Sequence, residues 1–430
     1  SMPSRKVALA HLDLGIGGAE ALVVSAALAM LKRGWEVSIF TTHHEPKHCF
    51  AQTCGDGILS GRIVVVGDWL PRSIFGRAVA LCSSVRMCYL AFYMVLFSSG
   101  DVVFCDGVST QIPLLRLKFP VLFYCHFPDL LLCVNRGSFL KRLYRAPLDW
   151  LEATTTAWAN IVVVNSLFTA GVYKKAFTGL QKPNVVYPAA DFDSFTAPDW
   201  EKKAATKRRT FVSLNRFERK KDVGVAIEAL ALLKGMLRPA QMANVNLVVA
   251  GGYDESVREN VEYLRELKEL ASRLGVADVV SFRPSVSNDE RNELLQSALA
   301  VLYTPTNEHF GIVPIEAMYA GAPVLASNTG GPLETVVDGE TGFLRDTSEG
   351  PHAFSEAMSR LVLEQGLGLE LGRKAHAHVS ASFGMEAFET GLDASLLATC
   401  KQAQEGMQWR ALVLASCFVL LVALAARLFF

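Results

Sequence analysis

The sequence predicts an α/β protein with two Rossmann-like parallel-sheet domains facing a cleft, followed by a C-terminal membrane helix. Its 430 residues are enough for about three folded units, and a content of 51% hydrophobic and only 20% charged residues provides large buried cores. Short apolar β-rich runs alternate with longer helical stretches, which is typical of parallel sheets covered by helices on both faces. This alternation occurs twice along the chain, once for each domain.

The predicted strands are the short apolar runs. In the first half of the chain they are 7–12, 36–42, 62–66, 101–106, 121–126, 161–165 and 184–187. In the second half they are 210–214, 245–251, 278–283, 299–304 and 323–328. Residues 188–205 lie between the two sets and are rich first in turn-forming and then in charged residues, as expected for a linker. We therefore place one domain at 5–198 and the other at 199–385.

The end of the chain is apolar enough to anchor it in a membrane. Residues 411–430 read ALVLASCFVLLVALAARLFF and carry a single charge, Arg427. A helix of about 20 apolar residues spans a hydrocarbon core of ~30 Å, and Arg427 can extend to the interface. A buried terminal helix is the alternative, although such helices usually keep a polar face. The mean hydropathy of +0.26, high for a cytosolic enzyme, favours the anchor.

A second apolar segment lies inside the first domain. Residues 87–97 form an 11-residue apolar run, preceded by Arg72, Arg77 and Arg86. The run is too short to span a bilayer. A basic flank followed by many aromatic side chains is typical of a helix in the membrane interface. Residues 74–98 are expected either to lie in that interface or to form a buried inter-domain helix.

Charge and cysteine content narrow the possible classes of protein. Lys plus Arg and Asp plus Glu each number 42, so the net charge is zero and the whole molecule does not attract nucleic acid. No nucleic-acid partner is expected. Nine cysteines, scattered from Cys49 to Cys417, do not form a disulfide framework in a chain of this length. The folded domains are expected in a reducing compartment.

The most informative motif contains two carboxylates, Glu308 and Glu316, eight residues apart. A helix that opens at Gly311 after a strand would present the free backbone N–H groups of Gly311, Ile312 and Val313, and such groups bind anions. Both carboxylates would reach the same side, where one can hold a sugar ring and the other a ribose diol. The alternative, two solvated glutamates near a helix start, does not account for the flanking sequence.

Two further segments each follow the first strand of a domain. Gly17 and Gly18 have no Cβ, so a phosphate can approach the backbone closely there. Arg216 and Lys221 are cations suited to bind an anion. A solvated loop is the alternative for these cations, because residues 202–221 are basic throughout.

These segments resemble, in order and position, the motifs of the retaining GT-B glycosyltransferases of family 4. The segment from Glu308 to Glu316 is similar to the E-x7-E motif of that family. Residues 15–20 resemble its glycine-rich loop, and residues 215–221 resemble its basic diphosphate-binding turn. His126 is similar to the histidine that the family places near the donor sugar. The resemblance covers roughly residues 5–400.

The resemblance implies a retaining sugar transfer from a nucleotide donor without a metal or another cofactor. Glu308 would stabilise the donor ring, Glu316 would bind ribose, and His126 would hydrogen-bond the donor unless it only caps the backbone. Lys221 and Arg216 would neutralise the diphosphate. Attack from the face that the leaving group vacates is the usual proposal for the family, and no side chain is assigned as a double-displacement nucleophile.

In such proteins the N-terminal domain, here 5–198, is on the acceptor side and the C-terminal domain, here 199–385, binds the nucleotide sugar. The resemblance also implies that a helix at 386–405 crosses back to the first domain.

Segments 11–20, 125–132 and 217–221 are closest to the branch of this family that adds α-1,3 and then α-1,6 mannose to a dolichol-linked oligosaccharide. That resemblance implies GDP-mannose as donor and a dolichol-diphosphate-linked chitobiose-mannose acceptor. It also implies an endoplasmic reticulum membrane location with the catalytic domains facing the cytosol, and contacts with other enzymes of the same pathway. The alternatives are a GT-B transferase with an α-1,2-mannosyl or phosphatidylinositol-sugar acceptor, and a non-catalytic membrane scaffold.

Three other patterns predict no site. Glu20 replaces the third glycine of a dinucleotide-binding G-x-G-x-x-G motif, which disfavours NAD. Asp191 and Asp193 resemble the metal-binding D-x-D of the other glycosyltransferase fold, but they lie at the linker. Residues 43–54 contain histidines and cysteines whose spacing fits no zinc template. We therefore expect no metal site.

Overall fold

The computed structural model describes residues 5–76, 78–132, 139–190, 192, 195–206 and 209–405. They form two compact units. The first unit comprises the described residues up to Asn165, Thr169–Pro188 and residues 388–405. The second comprises Ser166–Phe168 and Ala189–Ala387. The expected membrane anchor at 411–430 lies outside the described residues.

The first unit contains a sheet of seven strands. The strands are β1 (Lys6–Leu14), β2 (Glu36–His44), β3 (Ile63–Val65), β4 (Val102–Asp106), β5 (Val121–Cys125), β6 (Ile161–Val164) and β7 (Asn184–Val185). The helices are α1 (Gly18–Lys32), α2 (Val79–Phe97), α3 (Ile112–Leu115), α4 (Asp129–Leu132), α5 (Phe139–Thr156) and α6 (Leu167–Ala176). The strand order is β3-β2-β1-β4-β5-β6-β7 and every pair is parallel, so the winding reverses beside β1.

The second unit contains a sheet of six parallel strands in the order β10-β9-β8-β11-β12-β13, which reverses beside β8. The strands are β8 (Arg209–Leu214), β9 (Val245–Gly251), β10 (Val280–Pro284), β11 (Ala300–Tyr303), β12 (Val324–Ser327) and β13 (Gly342–Arg345). The helices are α7 (Trp200–Ala205), α8 (Gly224–Met236), α9 (Pro239–Met242), α10 (Arg258–Arg273), α11 (Asn288–Ser297), α12 (Ile312–Tyr319), α13 (Pro332–Thr335), α14 (Pro351–Leu363) and α15 (Leu367–Ser382).

The apolar composition of the central strands explains why both sheets are parallel and are covered by helices on both faces. All five residues of β5 and four consecutive apolar residues of β4 are buried, because helices cover both faces of such strands. In the second unit, Phe211 and Leu247 of the sheet pack with Ile227 of α8 and Phe354 of α14. The prediction of two Rossmann-like parallel-sheet domains is confirmed.

The predicted strands are all present, with ends within two residues of the predicted ones. Strand β13 was missed. It is an edge strand of four residues with only Phe343 and Leu344 as apolar side chains, too short to distinguish from a turn in the sequence. A Cβ on Gly342 would lie 2.0 Å from the Val324 carbonyl oxygen, so this strand depends on a close backbone contact that no periodicity reveals.

Helix α2 lies on the first sheet with one apolar face inward. Met87, Leu90 and Met94 are buried in the core, and Arg86 is buried with them. The helix is also long and apolar enough to cross a membrane, by length and composition. Its outward side chains are exposed, so the alternative of a fully buried helix does not describe it.

The boundary between the units differs from the predicted domain limit. It falls after Pro188, whereas the sequence placed it after residue 198. The segment beyond Pro188 packs on the second unit, where Ala190 N–H donates to the Phe383 carbonyl at 3.1 Å. The Phe192 ring stacks on Tyr319 with centroids 3.9 Å apart. These contacts are long-range and leave no signal in composition.

The last described helix, α16 (385–405), belongs to the first unit from Phe388 onward. The Trp35 indole N–H donates to Asp393 at 2.8 Å, and Lys32 pairs with Glu389 at 2.9 Å. The Glu389 side chain is only 4% exposed. Polar contacts at the C-terminal end of α1 therefore hold α16 on the first unit.

Replacing Glu389 with alanine is expected to destabilise the protein. The change leaves the cations at the end of α1 without their buried partner, and the free energy of unfolding should fall by about 1–3 kcal/mol. Denaturant unfolding in detergent measures the change. Glu405→Ala is the matched control on the same helix, because Glu405 is 60% exposed and lies 4.0 Å from Lys401, a geometry that contributes little. Equal effects of the two variants would contradict the assigned role of Glu389.

Candidate active site

The motif residues of the second unit lie where its strand order reverses. In open α/β sheets, ligands bind outside the carboxyl ends of the strands at such a switch point. Strands β8 and β11 are neighbours there. The basic turn 215–221 follows β8 and the loop carrying Glu308 follows β11. Both motifs therefore lie at one edge of the sheet.

Lys221 and Glu308 form an ion pair at this edge. The Lys221 ammonium donates to Glu308 Oε2 at 2.5 Å, and their side chains are only 16% and 27% exposed. Thr304 Oγ1 donates to the Lys221 carbonyl at 2.8 Å and so ties the basic turn to the end of β11. Burial, followed by the neighbouring Glu308 carboxylate, raises the pKa of Tyr303 well above its usual value. The site contains a fixed cation and carboxylate beside a neutral phenol.

The structure distinguishes among the basic residues of the turn. Lys220 pairs with Glu218 at 3.0 Å, and Arg219 pairs with two glutamates of α10. Arg216 is 72% exposed and lies 3.8 Å from Glu218. Among the described residues, Lys221 is the member of this turn that contacts the motif carboxylate. Arg216, which the sequence ranked with Lys221, is not brought into that contact.

A backbone turn holds the start of α12. Gly311 is the N-cap residue with φ +82, a left-handed conformation that favours glycine. A Cβ there would lie 3.3 Å from the Tyr303 ring. Gly331 N–H donates to the Glu308 carbonyl at 2.7 Å. Since Gly311 has no side chain to cap the helix, the first N–H groups from Ile312 are available to an anion.

Glu316 has a basic partner that the sequence did not reveal. Its carboxylate pairs with Arg291 of α11, and its side chain is 10% exposed. Burial lowers the pKa of Arg291 from its usual value. The guanidinium also lies over the Phe195 ring, 5.4 Å from the centroid. Arg291 stands in a mostly polar stretch, so no spacing pattern connects it with Glu316.

In the first unit, His126 belongs to a chain of three side chains. Asp106 Oδ1 lies 2.8 Å from His11 Nδ1, and Asp106 Oδ2 lies 3.0 Å from His126 Nε2. Burial alone would raise the pKa of Asp106, but the two histidines hold it well below its usual range. Burial opposes charge on His11, yet the Asp106 carboxylate outweighs burial and raises the pKa of His11. The sequence named His126 and missed its two partners.

The glycine-rich loop follows β1 and precedes α1. Gly17 is the N-cap residue of α1, and a Cβ on it would lie 2.3 Å from the Glu20 carboxylate, whereas a Cβ on Gly18 would meet nothing within 4 Å. Just before the loop, Asp13 receives two hydrogen bonds from the buried Arg86 of α2, at 2.5 and 3.1 Å. The loop is therefore anchored through an ion pair whose cation is buried.

The segment after His126 is capped by a distant carboxylate. Glu152 of α5 accepts hydrogen bonds from the backbone N–H groups of Asp129 at 2.7 Å and Leu130 at 2.8 Å. Burial raises the pKa of Glu152 to about 7 from its usual 4.5, despite these two donors. The start of α4 therefore depends on a group that titrates near neutral pH.

The histidines near residue 44 have individual partners. His44 bonds to the carbonyls of Leu14 and Thr53, and His43 lies 2.7 Å from Asp68. Within the described ranges no group of three or more His, Cys, Asp or Glu side chains could hold a metal ion. The D-x-D pair at 191 and 193 lies outside the described residues.

The fold and the two carboxylates define a class of protein, and comparisons agree with it. Residues 16–194 match the family described as Glycosyltransferase Family 4, and residues 195–378 match Glycosyl transferases group 1. The structure of sucrose-phosphate synthase from Thermosynechococcus elongatus shares the fold, with a TM-score of 0.69 at 20% identity over 96% of this chain and 100% of that chain. The protein is a glycosyltransferase with the GT-B fold.

Two relatives identify the family more closely. The chain is 46% identical over 401 residues to alpha-1,3/1,6-mannosyltransferase ALG2 of Homo sapiens, covering 90% of this chain and 94% of the relative. It is 44% identical over 423 residues to the protein of the same name from Rhizomucor pusillus, covering 92% of each. The chain belongs to this family of alpha-1,3/1,6-mannosyltransferases, which confirms the resemblance found in its motifs.

Substituting Glu152 with glutamine is expected to change how stability depends on pH. Because the pKa of Glu152 is raised in the folded protein to about 7, its contribution is fully present below pH 4.5 or so and is lost as pH rises through 7. The free energy of unfolding of the wild type, relative to Glu152→Gln, should decline by on the order of 2–3 kcal/mol between these values. Denaturant unfolding at a series of pH values measures this difference.

Glu349→Gln is the control for that series, because Glu349 is an exposed carboxylate of the second unit. Its curve should run parallel to that of the wild type. A pH-independent difference between the wild type and Glu152→Gln would show that Glu152 titrates normally.

Proposed function

We propose that this chain transfers mannose, with retention, from GDP-mannose to a dolichol-diphosphate-linked chitobiose-mannose acceptor, forming an α-1,3 and then an α-1,6 linkage in N-glycan precursor assembly. The observation that carries the proposal is the Lys221–Glu308 pair beside the open start of α12. It occurs in a chain 46% identical to an enzyme named for both linkages. The proposed site needs no metal or other cofactor.

The charges of the second unit suit the breaking of a sugar–diphosphate bond. The diphosphate gains negative charge as it departs, and preorganised cations and N–H dipoles stabilise it. A lysine ammonium has three donors, so Lys221 can keep its bond to Glu308 and also bind a phosphate oxygen. The N–H groups at the start of α12 add a second set of donors. The exposed Arg216 can contribute a further charge.

The carboxylates serve different parts of the donor in this proposal. Glu308 would lie at the mannose, where its negative charge favours the positive character that develops on the ring. Glu316 would bind the ribose diol through Oε1, because Arg291 pairs with Oε2. His126 of the first unit would hydrogen-bond the mannose. Each assignment rests on the family motif and on the ion pair or hydrogen bond that holds the side chain.

The membrane is the second proposed partner. Apolar side chains point outward along α2 and from the segment before it, where the Trp69 ring contacts Tyr89 edge-on with centroids 5.8 Å apart. The exposed ones are Trp69, Ile74, Phe75, Val79, Leu81, Val85, Tyr89, Phe92, Leu96 and Phe97. Large exposed apolar patches mark interaction sites. We propose that this face enters the interface of the endoplasmic reticulum membrane on its cytosolic side, where other enzymes of the pathway would be neighbours.

The reaction can be tested with purified full-length protein in liposomes. With GDP-mannose and a lipid-linked chitobiose carrying one mannose, mass spectrometry should detect two added hexoses. Glu308→Gln removes the charge at the proposed donor ring and should lower kcat by about 100-fold or more. Glu340→Gln, a charge removed from an exposed position of the same unit, should leave kcat unchanged.

The outcomes of this assay separate the alternatives. One added hexose would reject the dual linkage. Transfer only to an α-1,2-mannosyl or phosphatidylinositol-sugar acceptor would reject the proposed acceptor. No transfer with any donor, by protein that melts cooperatively, would favour the scaffold.

Membrane contact of α2 can be tested by photo-crosslinking. A benzoylphenylalanine in place of Phe92, which is 55% exposed, should form a covalent product with phosphatidylcholine in liposomes. The same residue in place of Leu363, an apolar side chain 51% exposed on the second unit, is the control and should form none. Equal crosslinking at both positions, or none at Phe92, would contradict the proposed membrane face.

A further inference from the structure

Three side chains of the first unit form a continuous hydrogen-bonded chain, His11–Asp106–His126. The sheet register explains why they meet. Ala10 of β1 is opposite Cys105 of β4, so the next residues, His11 and Asp106, are side by side. Asp106 is opposite Tyr124 of β5, and His126 lies two residues beyond Tyr124 on the same face. The chain therefore lies at the switch point of the sheet, where β1 and β4 are neighbours.

The Asp106 carboxylate determines which nitrogen of each ring carries a proton. Asp106 is 3% exposed, and burial with two histidine partners keeps its pKa well below the usual range. It is therefore an ionised acceptor at neutral pH. An ionised carboxylate has no proton to donate, so His11 Nδ1 and His126 Nε2 must both be N–H donors. The tautomer of each ring follows from the bond that it makes.

This arrangement leaves a specific atom of His126 for the substrate. The His126 side chain is 29% exposed, and its Nδ1 has no hydrogen-bond partner among the described residues. A ring that carries a single proton, held on Nε2, presents a lone pair at Nδ1. The Tyr124 ring lies 5.1 Å from the His126 ring, and the Tyr124 hydroxyl is bonded to the Val186 carbonyl. His126 is thus held in one orientation as a hydrogen-bond acceptor.

His11 completes the arrangement rather than acting on its own. It binds the other carboxylate oxygen and so prevents Asp106 from turning away from His126. His11 is only 6% exposed, so this hydrogen bond is shielded from water.

We propose that Asp106 is a positioning residue for the mannosyl transfer, and that it holds His126 so that Nδ1 accepts a hydrogen bond from a hydroxyl of the donor mannose. The proposal rests on the proposed function for the identity of the sugar. The tautomer of His126 is a property of the free protein. Asp106 acts through His126 and His11 supports Asp106.

The test is Asp106→Asn, which keeps the shape but replaces one oxygen with an NH2 group. If that NH2 faces His126, Nε2 must accept, and the ring proton moves to Nδ1. The exposed atom then changes from acceptor to donor, and kcat should fall by about 100-fold while KM for the lipid acceptor changes by less than about threefold. In a His126→Ala background, Asp106→Asn should have no further effect, because the residue acts through the missing ring.

Asp68→Asn is the matched control. Asp68 lies 2.7 Å from His43 in an exposed pair of the same chemistry. The substitution should leave kcat unchanged.

A spectroscopic measurement tests the tautomer independently of activity. In full-length protein with 15N-labelled histidine, long-range 1H–15N correlations should show His126 protonated at Nε2 in the wild type and at Nδ1 in Asp106→Asn. The spectrum of His126→Gln identifies the signals. If the Asn variant does not fold, the wild-type spectrum alone decides, and protonation of Nδ1 there overturns the proposal.

The proposal is also overturned if Asp106→Asn moves the His126 proton to Nδ1 but retains kcat within threefold, or loses as much activity without His126 as with it. If the variant keeps the proton on Nε2, the wild-type spectrum alone decides, as for a variant that does not fold. If the wild type transfers no mannose, the proposed function fails. The spectrum still reports whether Asp106 sets the tautomer of His126.

Discussion

The order of the parallel strands is the constraint on which both units depend. In each sheet the first strand of the chain lies in the interior. In the first sheet β1 lies between β2 and β4, and in the second sheet β8 lies between β9 and β11. Parallel neighbours end at the same edge, so residues far apart in the sequence meet there. His11 and Asp106 are 95 residues apart, and Lys221 and Glu308 are 87 apart. The Lys221–Glu308 pair of the second unit and the His11–Asp106 pair of the first unit are both consequences of strand order.

Several charges brought to these edges are partly desolvated and paired. Lys221 pairs with Glu308, and the buried Arg86 pairs with Asp13. An unpaired buried charge would be strongly unfavourable, so the pairs are a condition for placing charge there at all. The same pairing fixes the directions of the charged groups before a substrate arrives, and this preorganisation favours the departure of a charged leaving group.

Helix α2 connects the two aspects of this protein. Its inner face packs in the core and carries Arg86, which holds Asp13 ahead of the glycine-rich loop. Its outer face is apolar and exposed. One helix thus contributes a buried cation to the edge of the sheet and an apolar surface suited to lipid. The ion pair gives the proposed membrane face a short physical connection to the loop.

The sequence by itself determined the alternation of strands and helices, the two sheets and the family motifs. These features are local in the sequence. Apolar runs predict buried strands, and the spacing of Glu308 and Glu316 can be read directly from the sequence. Only the tertiary structure decided the partners, namely Arg291 for Glu316, and Asp106 with His11 for His126. It also showed that Lys221 pairs with Glu308, whereas Arg216 is exposed. Strand register and helix packing determine these partners, which are far apart in the sequence. No local sequence pattern therefore predicts which buried charges form a pair.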